Sequence, residues 1–225
     1  MYYELGRTPL IIKRKLRAIK YWMSLKTTNN CILKSCLDDM IIRNDDWVIK
    51  IKNELESLGV GYLFNSTCDK YDLCIIEQRL KDSYQQLLLS DICRSSKGII
   101  YQHLVDHFNL QPYLKKHVRK DFLQQIAKFR LSSHKLQVEI GRHSNIQRNN
   151  RICQNCNLND VEDEYHFILV CPAYNYLRCS YIKRYYRNRP SVYKLIQLLS
   201  TENVKELGNL GRFLSKACKQ REDNR

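Results

Sequence analysis

At 225 residues, the chain is long enough for one large domain or two small ones. Hydrophobic residues make up 44 %, with only four prolines and seven glycines, which excludes extensive disorder and a turn-rich all-β fold. The formal net charge of +15, from 38 Lys and Arg against 23 Asp and Glu, does not specify a fold but favours anionic partners, nucleic acid or acidic surfaces.

The opening residues run into a basic rather than an apolar stretch, so no secretory signal is read there. No run approaches the roughly 20 apolar residues that span a bilayer, and no membrane partner is expected. The expected setting is intracellular, nucleus or cytoplasm. The ten cysteines stay reduced there, so grouped ones suggest a metal and scattered ones buried thiols.

Apolar spacing is helical over most of the length. Thr8 is the expected N-cap of the first helix, with Pro9 at its first position. Leu10, Ile12, Leu16, Ile19 and Met23 follow on one face. Seven Lys or Arg lie between Arg7 and Lys26 with no acid among them, so the opposite face is strongly basic. Asn30 caps a second helix to about Ile42. Asn44, Asp45 or Asp46 caps a third, which stops at Gly59. Residues 72–90 form a long helix, and the polar stretch from Arg94 to Gly98 is the expected boundary between two halves. Further helices are predicted over residues 99–108, around Phe122 to Leu131, over residues 134–140 ending at Gly141, and over residues 173–186, 192–199 and 202–219. Pro112 opens a short segment between the first two of these. The fold class read from this is mostly α: a helical N-terminal half, then a small zinc-knuckle-like domain and C-terminal helices. The domain division is residues 1–94, 95–189 and 190–225.

Cys153, Cys156, His166 and Cys171 follow the pattern Cys-x2-Cys-x9-His-x4-Cys. A Cys-x2-Cys turn aims two sulfurs at one point, and Asn155 and Asn157 suit such a turn because Asn tolerates a left-handed backbone. His166 and Cys171 face one side if their short helix ends near Val170, and Pro172 supports that end. Three thiolates and an imidazole suit tetrahedral zinc. Four protein ligands close the sphere, so the zinc is expected to be structural. Cys179 is the alternative fourth ligand. Cys31, Cys36, Cys68, Cys74, Cys93 and Cys218 have no closed ligand set and are expected mostly as buried small hydrophobes.

The residues around this pattern resemble the zinc-binding region near the carboxyl end of non-LTR retrotransposon proteins that carry a reverse transcriptase. The resemblance runs from about Arg130 to Tyr174. It includes His134, Lys135 and Leu136, then Glu139 to Arg142, Arg148 and Arg151, the run Glu162 to Phe167, and Cys171 with Pro172. The opening Glu4 to Arg7, with the basic helix to Tyr21 and Trp22, is similar to the stretch that follows the polymerase in such proteins. The resemblance implies a tail region without the polymerase, whose Tyr-x-Asp-Asp motif is missing. The pairs Asp38-Asp39 and Asp45-Asp46 have Cys36 and Arg43 where the motif needs its aromatic.

His103 and His107 stand at i and i+4, a zinc-capable spacing, but Leu104 occupies the place of a metalloprotease glutamate. Two ordinary histidines are the expectation. Gly59-Val60-Gly61 lacks a third glycine for nucleotide binding. The basic residues say more. Arg142, Arg148 and Arg151 lead into the metal pattern. Arg178, Lys183, Arg184 and Arg187 follow it, with Tyr181, Tyr185 and Tyr186 interleaved. These are the candidate phosphate contacts. The acids Asp160, Glu162, Asp163 and Glu164 are expected to orient His166 or to cap its helix. The functional expectation is a zinc-stabilised, non-catalytic module that binds RNA or DNA beside a polymerase domain. The alternative is a structural or protein-interaction module from a captured or decaying element.

Overall fold

The computed structural model describes residues 2–67, 69–105 and 107–224. The mostly α expectation holds: among the described residues the only β pairing is two isolated bridges, Leu5 with Leu110 and Ile152 with Val161. No helix among them is long and apolar enough to cross a membrane. The chain divides into two units, Arg7–Asp91 and a second made of Tyr3–Gly6 together with Ile92–Arg225.

The first unit holds α1 (Leu10–Lys26), α2 (Cys31–Ile42), α3 (Asp46–Ser57) and most of α4 (Lys70–Arg94). Thr8 is not the cap of α1. Pro9 takes that place with an extended ψ of 159°, and a residue before proline is itself driven out of helical geometry. Asn30 caps α2 as expected, its side chain accepting from the amides of Ile32 and Leu33. Asp45 is the residue that caps α3. Gly59, at φ +68°, turns the chain out of α3, a conformation that costs any other residue. Ile19, Trp22, Leu55, Val60 and Ile76 are fully buried, and the Trp22 ring stacks on Phe64 with centroids 4.8 Å apart. The cysteine expectation fails for four of them: Cys31, Cys36, Cys74 and Cys93 are exposed on helix flanks, whereas Cys218 is half-buried and burial pushes its thiol up to about 11. Cys68 lies outside the described residues.

In the second unit, α5 (Lys120–Arg130) packs along α10 (Val204–Asp223). Their axes come close at Gly211: a Cβ there would stand 2.2 Å from Cβ of Phe122. Between them in the chain come α6 (Gln137–His143), α7 (Asn175–Tyr181), α8 (Arg184–Arg187) and α9 (Val192–Leu199). Phe167 is the hub of an aromatic core. Its ring is 5.4 Å from Phe129, 4.6 Å from Tyr174 and 6.3 Å from Phe213. Tyr3–Gly6 joins this unit through Glu4, whose carboxylate accepts from Arg130 Nε at 2.7 Å and from the Tyr101 hydroxyl at 2.8 Å. Arg130 is itself buried and also donates to the Leu199 carbonyl and the Gln111 side chain.

Three helix expectations are corrected. Among the described residues of 99–108 there is no α-helix but one 3₁₀ turn at Tyr101–His103, with Tyr101, Leu104 and Val105 buried. His103 and His107 therefore share no helix face, and Asp106 between them lies outside the described residues. The stretch 173–186 breaks at Ile182, whose extended backbone sends its side chain into the core between α7 and α8. Gly141 does not end α6, which runs two residues further, to His143.

Candidate metal centre

Cys153 and Cys156 stand on a narrow ribbon. The Cys153 amide donates to the Asp160 carbonyl, and the Glu162 amide donates to the Arg151 carbonyl, both at 2.9 Å. The ribbon turns at Asn159, which has the positive φ of 54°; neither Asn155 nor Asn157 does. His166 and Cys171 bracket a π turn, His166–Val170. Five residues of α-helix would leave them about 140° apart around the axis. The wider turn, closed by the Cys171 amide on the His166 carbonyl at 2.7 Å, brings them to one side. Phe167, seated in the aromatic core, anchors this turn. The Asp163 side chain accepts from the His166 amide at 2.9 Å and caps it.

The result is one cluster. The ligand atoms of Cys153, Cys156, His166 and Cys171 all lie within 4.8 Å of one another, and the group could hold a metal ion. Cys153 Sγ and Cys171 Sγ are 4.0 Å apart, and Cys156 Sγ is 3.4 Å from His166 Nε2. A tetrahedral ion with bonds of about 2.3 Å to sulfur and 2.05 Å to nitrogen requires separations of about 3.8 and 3.6 Å. These two separations lie within about 0.2 Å of that geometry, and closing the whole set from its 4.8 Å limit takes a contraction of up to about 1 Å. Cys179 is outside it, exposed and hydrogen-bonded with Arg187 and Asn175.

The three thiols differ: Cys153 and Cys156 are held above the usual thiol range, Cys156 chiefly by burial, and Cys171 is held below it. Each sulfur faces the amide two residues on, Asn155 for Cys153, Leu158 for Cys156 and Ala173 for Cys171. Cys153 and Cys171 stand 4.0 Å apart, at the outer limit of an S–H···S hydrogen bond. The bond to Cys171, then burial, pushes the Cys153 thiol up to about 12, and the same bond holds Cys171 below the usual thiol range. A divalent ion would displace the proton of that bond and unite the sulfurs around one charge. His166 Nδ1 is buried without a hydrogen-bond partner; Asp160 is the nearest acid, with an oxygen at 3.7 Å, too far for a direct bond.

The other acids of that run have separate duties. Glu164 binds His134 and Ser132 at 2.9 and 2.7 Å. Glu162 is fully buried against Arg221.

The candidate basic contacts split the same way. Arg178, expected on a phosphate-contacting face, is buried. Its guanidinium donates to the carbonyls of Ile168 and Cys171 at 2.8 and 2.6 Å, so it serves the π turn rather than a ligand. Burial lowers its pKa, opposed by the Cys171 sulfur beside it. Arg151 is also spent on carbonyls, those of Val138 and Ile146. Arg142 pairs with Glu139, Arg148 with Asp163 and Lys183 with Glu206. Arg184 is exposed, and half-buried Arg187 reaches Cys179. Of the interleaved tyrosines, Tyr186 is buried, Tyr181 contacts Lys216 and Tyr185 is exposed.

Two features were not singled out from the sequence. One is Arg221, the counter-ion of Glu162. The other is legible there: residues 165–201 contain no Asp or Glu at all, and include Lys194 beside the basic residues that follow the metal pattern, Arg189 among them. Comparison with known protein families, with curated proteins and with solved structures returned no match.

Proposed function

We propose that the chain is the zinc-stabilised, nucleic-acid-binding tail of a non-LTR retrotransposon reverse-transcriptase protein. The observation that carries this reading is the junction of a closed Cys3His cluster with the acid-free, basic stretch of residues 165–201. Three thiolates and one imidazole at tetrahedral spacing suit zinc over harder ions, and four protein ligands leave no place for a reactive water. The zinc holds the π turn and the ribbon together. It thereby fixes where α7 and α8 leave the core and where Arg184 and Arg187 face an RNA or DNA backbone. A reducing compartment, nucleus or cytoplasm, keeps the thiolates available.

Polymerase chemistry belongs, in this reading, to another part of the parent protein. Asp45 is occupied as the cap of α3, and Asp38 and Asp39 are exposed on α2, with Asp39 facing Arg43. The test is titration of the zinc-loaded chain into labelled RNA and DNA at several salt concentrations. Affinity falls steeply with salt, and the Arg184→Glu/Arg187→Glu variant weakens it and flattens the slope. Binding that ignores salt counts against the proposal.

A second reading, a module that packs on another protein, draws on one observation. Helix α2 buries only Leu37 and exposes Ile32 at 70 % and Ile42 at 76 %. Under it, the Ile32→Ser/Ile42→Ser variant is more soluble than the natural chain while nucleic-acid binding is unchanged.

A further inference from the structure

Tyr185 and Tyr193 are held by one glutamine. The Tyr185 hydroxyl donates to Gln197 Oε1 at 2.9 Å, and Gln197 Nε2 donates to the Tyr193 hydroxyl at 3.2 Å. Both rings nevertheless remain on the surface, Tyr185 53 % exposed and Tyr193 66 %. Buried Tyr186 backs Tyr185 edge-on, with centroids 5.1 Å apart. Lys194 Nζ stands 4.8 Å from the Tyr185 centroid and is fixed by the carbonyls of Asn188 and Arg189. Arg184 and Arg189 are exposed on the segments that carry the two rings. Glu206, the acid that reaches this region, is already engaged by Lys183, Thr201 and Tyr186.

We propose that Tyr185 and Tyr193 form a stacking platform for the unpaired bases of single-stranded nucleic acid, with Arg184, Arg189 and Lys194 along its backbone path. The proposal rests on the nucleic-acid reading above and specifies the form of strand. Exposed aromatic rings with their hydroxyls tied are pre-organised, so presenting them to a ligand costs little further side-chain freedom. A duplex keeps its base faces stacked on each other; only an unpaired strand can offer them to tyrosine. Every base has a π-face, so the platform selects strand form and not sequence.

The test uses the zinc-loaded full chain and fluorescence anisotropy with oligo(dT), oligo(U), an abasic strand of equal phosphate number, and a duplex. The abasic strand keeps the charge and removes the stacking partner. The natural chain binds oligo(dT) or oligo(U) better than the abasic strand, on the order of tenfold. Tyr185→Leu/Tyr193→Leu abolishes that preference without changing the salt slope, the metal content or the melting temperature, and Tyr193→Phe keeps it. Comparing oligo(dT) with oligo(U) shows whether DNA or RNA is the better source of bases. Equal, salt-sensitive binding of base-bearing and abasic strands overturns the platform and leaves the basic-face reading standing. No binding to any strand overturns both. Loss of binding to phosphatidylserine vesicles in the Leu variant, with strand preference intact, also overturns it. If the double variant does not fold, the natural chain's preference between the two kinds of strand decides the question alone.

Discussion

Arg221 grips Glu162 with two parallel hydrogen bonds, Nε to Oε1 and Nη2 to Oε2, both 2.6 Å long. Neither side chain meets solvent, with exposures of 4 % and 0 %. The same carboxylate accepts from the Gln137 amide at 2.8 Å, so α10, the start of α6 and the cysteine-bearing ribbon meet at one residue.

Glu162→Leu leaves the Arg221 guanidinium buried and unpaired, and should cost about 3–5 kcal/mol. Glu162→Leu/Arg221→Met should cost clearly less, since no lone charge remains inside. Urea denaturation of the two variants at equal metal loading checks the order. Equal losses would mean that the ion pair is not what holds the ribbon to α10.

Gly211 and Gly208 lie one turn apart on α10 and should respond in opposite directions. Gly211→Ala drives a methyl group against Phe122 and separates α5 from α10, a strain of about 1–3 kcal/mol or more. At Gly208 an added Cβ meets nothing within 4 Å, so Gly208→Ala gains helix propensity and should stabilise by about 0.5–1 kcal/mol. Thermal melts of both variants show the opposite signs.

Elemental analysis should find one zinc per chain, and the ligands should be those of the cluster. Cys153→Ser, Cys156→Ser or Cys171→Ser lowers the stoichiometry, whereas Cys179→Ser leaves it unchanged. A strong chelator lowers the melting temperature of the natural chain, because ion binding and folding of this segment are linked. An unchanged melt after complete metal removal would contradict a structural role.

Arg178 and Arg184 separate stability from binding. Arg178→Met strands two carbonyls, one within the π turn and one just after it, at about 1–3 kcal/mol each, and leaves the salt slope of nucleic-acid binding alone. Arg184→Glu does the reverse. Paired measurements of melting and salt-dependent affinity distinguish the two.

What was readable in the sequence follows from range. Asn30 and Asp45 announce α2 and α3 because a cap bonds amides two or three residues away. The four ligands are legible because their chemistry and spacing occur in one short segment. Residues 99–108 mislead for the same reason. Tyr101, Leu104, Val105 and Phe108 have helical spacing, but a 3₁₀ turn followed by irregular chain buries Tyr101, Leu104 and Val105 just as well. The five-residue step from His166 to Cys171 hides a π turn because local propensity has no signal for one. Arg178 looks like its solvent-facing neighbours; only the fold reveals that two carbonyls wait beneath it. The partners of Arg130 and Arg221, 126 and 59 residues away, carry no local mark at all.

The Glu4–Arg130 pair gives the chain an order of assembly. Glu4 leaves the ribosome long before its counter-charge exists, and the whole of the first unit is made in between. At about 5–20 residues per second the wait is on the order of ten seconds. The unit Arg7–Asp91 is thus an insertion within the other's sequence. It has time to fold first, while the segment that precedes it stays uncommitted until Tyr101, Gln111 and Arg130 arrive to receive it.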